Sequence, residues 1–352
     1  MTVASTNASA TAAPTTTSET RTRTMTMPRY AAYGAGRMGR GIAVVFAYAG
    51  HPVTIVDFKS RGAEVFDKLA GDAMADIRGI LASLAHCGLF DASKVDAIAA
   101  RVTVVPAADA GAALSSAFVI FEGIPEVLDL KREALARASA LAGPQPIIAS
   151  TTSTILVDDL SGAVDHPERF LNAHWLNPAF LVPLVELSPG AHTDPQVTAR
   201  LKALLEGIGK VPVVCAPRRG YIVPRIQALA MNEAARMVEE GVATADEIDK
   251  AIKYGFGFRF AVLGMLEFID WGGGDILYYA SRYLTQALGS ERYAAPEIVE
   301  RNMREGRIGL STRAGFLDYE GLDVDAYRRD RLQAFVAMLN QLGIAKPPVL
   351  DE

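Results

Sequence analysis

The first segment with the residue types to bind a ligand is a glycine-rich turn. It follows the short apolar run Tyr30–Tyr33 and opens a stretch of helical spacing, and its order is Gly34-Ala35-Gly36-Arg37-Met38-Gly39. In such a G-x-G-x-x-G turn the first glycine allows a tight bend and the second admits a pyrophosphate against bare backbone. The third lets the helix pack on the strand, and the helix N-terminus offers amide groups to the phosphates. A plain tight turn is the alternative for the glycines taken alone.

A carboxylate at the end of the next strand favours a dinucleotide. The β-branched run Pro52–Val56 leads to Asp57, which lies 21 residues after Gly36. A carboxylate there can accept hydrogen bonds from both ribose hydroxyls of an adenosine, whereas a 2′-phosphate would meet its negative charge. The pattern therefore predicts NAD as the cofactor, and Lys59 and Arg61 leave a smaller opening for NADP.

A histidine and a glutamate twelve residues apart could form an acid–base pair. His174 lies between a predicted strand and the turn at Asn177-Pro178, and Glu186 follows within a further apolar run. A histidine can remove a hydroxyl proton near neutral pH as a hydride leaves the neighbouring carbon. A carboxylate on its other nitrogen would fix the tautomer. Spacing alone leaves open that His174 is a core histidine, and that the hydroxyl-rich segment Ser150–Thr154 is only a polar loop or a helix cap.

These residues are embedded in an alternation of strands and helices. Beyond the first two strands, further strand-like runs are separated, early in the chain, by long helical stretches, which implies parallel strands with crossover helices. These runs are Arg101–Val105, Phe118–Phe121, Ile147–Ala149, Phe170–Ala173, Leu184–Leu187 and Val211–Cys215.

After Pro217 the strand signals nearly vanish and helical spacing takes over. Thr193-Asp194-Pro195 has the form of a helix start, and Thr244 with Glu247 has the form of a capping box. The predicted organisation is α/β: a Rossmann-type, doubly wound, mainly parallel sheet domain at 28–217, followed by an all-helical domain at 218–352.

Composition excludes several function classes. Of 352 residues, 35 are Lys or Arg and 40 are Asp or Glu, a net charge of -5, so there is no basic field for nucleic acid. No apolar run approaches the roughly 18 residues of a membrane span. Cys87 and Cys215 lack metal-site spacing and are predicted to be buried thiols of a reducing, cytoplasmic compartment, with no metal site. Residues 1–27 are Thr/Ser/Ala-rich and are predicted to be a disordered tail.

Taken together, the chain resembles the L-3-hydroxyacyl-CoA dehydrogenase family from the glycine turn to near the C-terminus. The most specific block is the one with the histidine, the Asn-Pro and the later glutamate. The segments that carry the resemblance are Gly34–Ala43, Phe121–Lys131, Ala149–Thr154, His174–Glu186, Gly220–Arg225 and Gly315–Tyr319.

The resemblance implies roles for single residues. His174 would be the catalytic base and Glu186 its carboxylate partner. Ser153 and Asn177 would hold the substrate oxygen and the nicotinamide end, and the second domain would form most of a homodimer interface. Two further residues, Glu126 and Lys131, would lie near the nicotinamide ribose.

Four positions depart from the family pattern on the acyl-CoA side. The usual Asn before Arg225 is Pro224, and a Lys expected near the C-terminus is Ser311. In the helix after the second strand, Ala73 and Ile80 replace a Ser and a Lys that accompany acyl-CoA substrates. Lost polar contacts with intact hydride chemistry suggest altered substrate recognition.

The function predicted on this basis is NAD-dependent, reversible oxidation of an (S)-3-hydroxyacyl-CoA to the 3-oxo form, a reaction of fatty acid metabolism. A free 3-hydroxy acid, of the gulonate or carnitine kind, is the close alternative substrate. A non-catalytic, lens-crystallin-like protein on the same scaffold is the alternative from another class. The His174 and Glu186 pair argues against it, because nothing structural requires that pair.

Overall fold

The computed structural model describes residues 28–349. The predicted disordered tail, 1–27, lies outside the described residues. The chain divides into two compact units between Ala228 and Leu229. The predicted domains, 28–217 and 218–352, place the boundary somewhat earlier, and that assignment stays a prediction.

One eight-stranded sheet forms the centre of the first unit. Its strands are β1 (Arg29–Tyr33), β2 (Val53–Val56), β3 (Val102–Val105), β4 (Ala117–Glu122), β5 (Ile147–Ser150), β6 (Phe170–Trp175), β7 (Leu184–Pro189) and β8 (Val211–Val214). The strand order is β3-β2-β1-β4-β5-β6-β7-β8. Every neighbouring pair is parallel except β6 with β7, which is antiparallel. Each strand predicted from the sequence is present.

Helices that belong to this sheet pack on both of its faces, and a further helix follows them in the chain. The helices of the sheet are α1 (Arg37–Tyr48), α2 (Ala63–His86), α3 (Val95–Ala99), α4 (Ala110–Ser115), α5 (Leu128–Ala142), α6 (Val157–Ser161) and α7 (Pro195–Gly207), and the helix that follows is α8 (Val223–Glu239), which contains the division between the units. Along β1, Tyr30 and Ala32 belong to one apolar core, whereas Ala31 and Tyr33 belong to another. Because successive strand residues point to opposite faces, two cores mean that both faces are buried. The predicted doubly wound α/β class is confirmed.

The strand order has one reversal point. The chain first builds outward from β1 to β2 and β3, then returns to place β4 on the other side of β1. The amide of Gly123 donates to the carbonyl of Tyr33 at 2.9 Å, so β1 and β4 end side by side. In open α/β sheets, ligands bind in the crevice outside the carboxyl ends of the strands at such a point.

The second unit is helical. Its helices are α9 (Ala245–Ala251), α10 (Phe258–Phe260), α11 (Met265–Gly272), α12 (Gly274–Leu288), α13 (Glu297–Arg304) and α14 (Val324–Gln341), with a π-helical stretch at Ile252–Gly257. Within the described residues of this unit, β pairing is limited to two isolated bridges, and the predicted all-helical class is confirmed.

The two predicted helix starts differ in outcome. Asp194 caps α7 by accepting a hydrogen bond from the amide of Gln196 at 2.8 Å, with Pro195 in the first turn as predicted. Thr244 accepts from the amide of Glu247 at 3.3 Å, so this half of the predicted capping box is present. The other half of a capping box would be a hydrogen bond from the amide of Thr244 to the Glu247 carboxylate. That carboxylate instead forms an ion pair with Lys250 at 2.7 Å, one helical turn further along.

The prediction of two buried thiols was wrong for Cys87. Cys87 follows the last residue of α2 and is exposed, because the helix ends at the surface. Cys215 follows β8 and is half-buried, and both thiols are free. Over residues 28–349, no helix combines the length and hydropathy that crossing a membrane requires.

A buried carboxylate organises the end of the second unit. Asp270 of α11 is 2% exposed. Its oxygens accept hydrogen bonds from the amides of Phe316 and Leu317 at 2.9 and 2.8 Å and from the hydroxyl of Tyr319 at 3.2 Å. One side chain thus satisfies three donors of the Gly315–Tyr319 segment, which would otherwise be partly buried without partners.

Replacing Asp270 should therefore destabilise the second unit. We expect Asp270→Ala to lower the free energy of unfolding by roughly 2–4 kcal/mol, because it leaves buried donors without an acceptor. Asp318→Ala removes an exposed carboxylate of the same segment and should cost roughly 1 kcal/mol or less. Urea unfolding of the two variants makes the comparison, and equal losses would contradict the anchoring role of Asp270.

Candidate active site

The glycine turn lies at the reversal point of the strand order. Gly34 follows β1, and its amide donates to the carbonyl of Val56 at 2.9 Å. Its φ of +126° lies in a region that residues with a side chain rarely adopt, and a Cβ there would stand 2.8 Å from the carbonyl oxygen of Gly123. The first glycine is therefore required by the turn itself.

The second and third glycines of the turn are required for different reasons. A Cβ on Gly39 would lie 2.0 Å from the carbonyl oxygen of Gly34, so the close approach of α1 to β1 excludes any side chain. Gly36 has a φ of -77° and no protein atom within 4 Å of the place of a Cβ. No protein atom therefore requires glycine at position 36. The absence of a side chain there leaves space open at the N-terminus of α1. This open space fits a pyrophosphate.

A groove runs from this turn across the carboxyl ends of the strands. Its volume is about 490 Å³, and the residues that line it come from the glycine turn, from the ends of β2 and β4, from α2 and from the loop after β6. Among them are the predicted ligand residues Gly34, Gly36, Arg37, Met38, Asp57 and Asn177. The fold thus gathers on one groove residues that lie more than a hundred positions apart in the chain.

Asp57 forms an ion pair at the end of β2. Its side chain is 2% exposed, and one oxygen accepts a hydrogen bond from Arg61 Nε at 2.6 Å. The other oxygen accepts from the amide of Lys59 at 3.2 Å. Arg61 partly neutralises the carboxylate that the sequence assigns to a ribose, and a bound ribose would share Asp57 with it.

His174 and Glu186 are direct partners across two strands. The sequence placed His174 between a strand and a turn, but β6 extends through Trp175 and His174 lies within it. In the antiparallel register, His174 pairs with Glu186 of β7, so both side chains point to the same face. His174 Nδ1 lies 2.8 Å from Glu186 Oε2, and both side chains are buried.

Backbone amides hold the other oxygen of this carboxylate. Glu186 Oε1 accepts hydrogen bonds from the amides of Ile222 and Val223, each at 2.9 Å, where α8 begins. Burial by itself raises the pKa of Glu186. The hydrogen bonds from His174 and the two amides outweigh burial and hold the pKa below its ordinary value. Glu186 is therefore ionised at neutral pH.

Glu126 organises the hydroxyl-rich loop after β5. A single oxygen, Oε1, accepts from the Thr152 hydroxyl, from the amides of Ser153 and Thr154 at 3.0 and 2.9 Å, and from the Thr154 hydroxyl at 2.9 Å. Burial raises the pKa of Glu126, and these hydrogen bonds together with the charge of Lys131 lower it by more. The loop that presents Ser153 is thus fixed by the carboxylate predicted to lie near a ribose.

Lys131 lies beneath this loop, paired with an acid that sequence reasoning missed. Its Nζ donates to both oxygens of Glu122 at 2.9 and 3.1 Å and to the carbonyl of Ile124 at 2.9 Å. It lies 3.6 Å from Glu126 Oε2. Lys131 and Glu122 are 1% and 0% exposed. The sequence did contain a signal for this ion pair: Glu122 directly follows the apolar residues of β4, and Lys131 lies nine residues after it.

Tyr221 is a second residue that sequence reasoning missed. Its ring stacks on the His174 imidazole with centroids 4.8 Å apart and planes 6° apart. The segment Gly220–Arg225 was singled out only by resemblance, and no periodicity shows that its tyrosine reaches β6.

Across residues 28–349, no cluster of three or more His, Cys, Asp or Glu side chains is arranged to hold a metal ion.

Comparison with known families decides what this arrangement belongs to. Residues 30–218 match the NAD-binding domain of 3-hydroxyacyl-CoA dehydrogenase, and residues 220–319 match the C-terminal domain of the same enzyme. The chain belongs to the 3-hydroxyacyl-CoA dehydrogenase family. The protein is accordingly an NAD-dependent oxidoreductase, as the sequence predicts.

The relatives of this chain differ from one another in their named activities. The chain is 32% identical to a 3-hydroxybutyryl-CoA dehydrogenase of Bradyrhizobium diazoefficiens over 82% of this chain and 94% of that protein. It is 35% identical to an L-carnitine dehydrogenase of a Pseudomonas species over 64% of this chain and 70% of that protein. The crystal structure of a 3-hydroxyacyl-CoA dehydrogenase from Archaeoglobus fulgidus superposes with a TM-score of 0.70 at 28% identity, covering 91% of this chain and all of the other.

The positions that depart from the family pattern differ in their surroundings. Pro224 is the second residue of α8, a place where a helix does not need an amide donor. Ala73 is fully buried, whereas Ile80 is partly buried and packs against the apolar core that contains Tyr30 and Ala32. Ser311 is exposed. Because Ala73 is buried, its departure says less about the substrate than the sequence suggests.

The glycine turn makes a prediction that separates ligand contact from folding. Gly36→Ala should change the free energy of unfolding by about 1 kcal/mol or less, because its methyl group meets no protein atom. It should raise the Kd for NAD by about tenfold or more. Gly39→Ala should lower stability by roughly 1–3 kcal/mol because its methyl group meets backbone.

Urea unfolding without NAD and calorimetric titration with NAD measure the two effects. An unchanged NAD affinity in Gly36→Ala would show that the pyrophosphate lies elsewhere.

Proposed function

We propose that the protein catalyses the reversible oxidation of an (S)-3-hydroxyacyl-CoA to the 3-oxoacyl-CoA, with His174 as the base. The observation that carries this proposal is the buried His174–Glu186 pair, which lies at the same sheet edge as the groove that begins at the glycine turn. Asn177, three residues after His174, lines that groove.

The protonation states follow from the hydrogen bonds. An ionised carboxylate only accepts hydrogen bonds, so Glu186 requires that His174 Nδ1 carry the hydrogen. The second ring nitrogen, Nε2, then has a free lone pair and can take the hydroxyl proton of the substrate. Glu186 stabilises the imidazolium that forms, and the Ile222 and Val223 amides keep Glu186 in place.

When bound, NAD would supply the acceptor for the hydride of C3, and His174 would take the proton of the substrate hydroxyl. The residues suited to hold NAD are the glycine turn for the pyrophosphate, Asp57 for the adenosine ribose, and Glu126 and Lys131 near the nicotinamide ribose. Since Lys131 already donates three hydrogen bonds, we expect it to act through Glu126 and through its charge. Ser153 and Asn177 would hold the substrate oxygen and the nicotinamide end.

A free 3-hydroxy acid is the second candidate substrate. The relationship to an L-carnitine dehydrogenase supports it. Pro224 supports it as well, because it stands at the start of α8 where the family carries an amide side chain, and proline offers no such group to an acyl-CoA. The two substrate classes share the proposed proton transfer to His174. They differ only in the residues that would bind the rest of the substrate.

NAD reduction assayed with a panel of substrates tests the proposed function. We expect turnover of 3-hydroxybutyryl-CoA to exceed that of 3-hydroxybutyrate, gulonate and carnitine. His174→Asn should lower kcat on the best substrate by roughly 10²–10⁴-fold, since asparagine cannot act as a base. A free acid as the best substrate would select the second candidate. Near-normal turnover by His174→Asn would contradict the mechanism for both.

We also propose that the protein is a homodimer whose interface is formed by the second unit. Along α12, Ile276, Tyr279 and Tyr283 are spaced as one helical face and are 63%, 60% and 70% exposed. Ile276 also lines an apolar hollow of about 390 Å³ between α10, α11 and α12. A contiguous apolar surface of this kind is typical of a face that packs on another subunit. A cytoplasmic location likewise stays a prediction.

A charge on this face should separate the subunits. We expect Tyr283→Glu to be monomeric at micromolar concentration, because dimerisation would bury its carboxylate without a partner. Tyr283→Phe keeps the apolar bulk and should remain dimeric. Light scattering gives the mass of each, and a dimeric Tyr283→Glu would move the interface away from α12.

A further inference from the structure

The face of the His174 imidazole is covered by a tyrosine ring. Tyr221 stacks on it almost in parallel, and both side chains are more than nine-tenths buried. Glu186 holds the ring of His174 at its Nδ1 edge, which restrains rotation only in part. A flat ring packed against the imidazole restrains the remaining tilt, so the two contacts together fix where Nε2 points.

The hydroxyl of Tyr221 connects the two segments of the active site. It donates to the carbonyl of Thr152 at 2.8 Å and accepts from Asn172 Nδ2 at 3.1 Å. Thr152 precedes Ser153 in the loop after β5, and Asn172 precedes His174 by two residues in β6. One hydroxyl therefore fixes the distance between the Ser153 loop and the strand of the base.

The backbone at Tyr221 is held in an uncommon conformation. Its φ of +45° is rare for a residue with a large side chain, so it persists only where the surroundings require it. Here the ring and the hydroxyl are both engaged, and the next two amides bind Glu186. The same three residues thus contact both members of the acid–base pair.

We propose that Tyr221 is a positioning residue for the proton transfer: its ring sets the orientation of His174, and its hydroxyl sets the Ser153 loop relative to that ring. This inference rests on the proposed role of His174 as the base. Tyr221 itself is no alternative base, because burial raises its pKa well above the ordinary value and its proton is donated to Thr152.

Stacking also has an electrostatic consequence. An aromatic face attracts a cation, so the ring of Tyr221 favours the imidazolium that forms as His174 takes the proton. The other titratable groups around the stacked rings of Tyr221 and His174 are Glu186 on β7, Glu126 before α5, and Cys215 after β8. Substitution of Tyr221 by another uncharged residue leaves all three in place, which isolates the contribution of the ring.

Two variants separate the ring from the hydroxyl, with kcat/KM measured against pH. Tyr221→Phe keeps the ring and loses the link to Thr152, and we expect kcat to fall roughly three- to tenfold with the ascending limb unmoved. Tyr221→Leu loses both, and kcat should fall roughly ten- to a hundredfold. Its ascending limb should move to lower pH by about half a unit to one unit, because the imidazolium loses the aromatic face.

Thermal unfolding and NAD titration accompany both variants, so that a loss of fold or of cofactor binding is seen directly. If Tyr221→Leu yields no folded protein, Tyr221→Met provides the same comparison. A wild-type kcat in Tyr221→Phe, or an unmoved limb in the Leu or Met variant, would overturn the inference. His174→Asn keeps the two proposals distinguishable. Near-normal turnover in that variant removes the proposed base, whereas an inactive His174→Asn beside unaffected Tyr221 variants removes only the positioning role.

Discussion

The antiparallel pairing of β6 with β7 is the interaction on which the candidate active site depends. All other neighbours in the sheet are parallel, and a parallel neighbour would have to return through a long crossover. A direct hairpin instead brings Glu186 opposite His174 after only twelve residues. Since a slip of one residue would turn one of the two side chains to the other face, the register itself assembles the pair.

The site is further held by charges buried beneath it. Glu122 and Lys131 lie under the crevice with almost no exposure, and Glu126 extends this network to the Ser153 loop. Removing one partner of such a pair would leave an uncompensated buried charge, so the network resists rearrangement. The loops after β4 and β5 are therefore held in one arrangement, which is the kind of preorganisation that the proposed hydride transfer would use.

The start of α8 links the His174–Glu186 pair to the helix that follows. The amides of Ile222 and Val223 would lack intrahelical partners at a helix N-terminus, and Glu186 satisfies them. Pro224 fits the next position because no amide donor is needed there. A residue that looks like a loss on the substrate side is thus fully compatible with the helix that supports Glu186.

By itself, the sequence determined the secondary-structure elements, the family and the NAD cofactor of this protein. The alternation of apolar runs and helical spacing located all eight strands, because local periodicity records which faces are buried. The glycine turn with Asp57 indicated NAD, since the spacing of that motif reflects a single βαβ unit. The placement of His174 near Glu186 was expected from resemblance, as spacing does not establish contact.

Only the tertiary structure decided which distant residues meet. Tyr221 contacts His174 through a residue with left-handed backbone conformation, which no periodicity encodes. In the sequence Glu122 is only the last residue of a buried strand, and its ion pair with Lys131 is visible only in the fold. Ala73 looked like a ligand position in the sequence and is a core residue in the fold. Contacts of this kind depend on strand order and on the path of the connecting loops. These are global properties, and a local pattern carries no record of them.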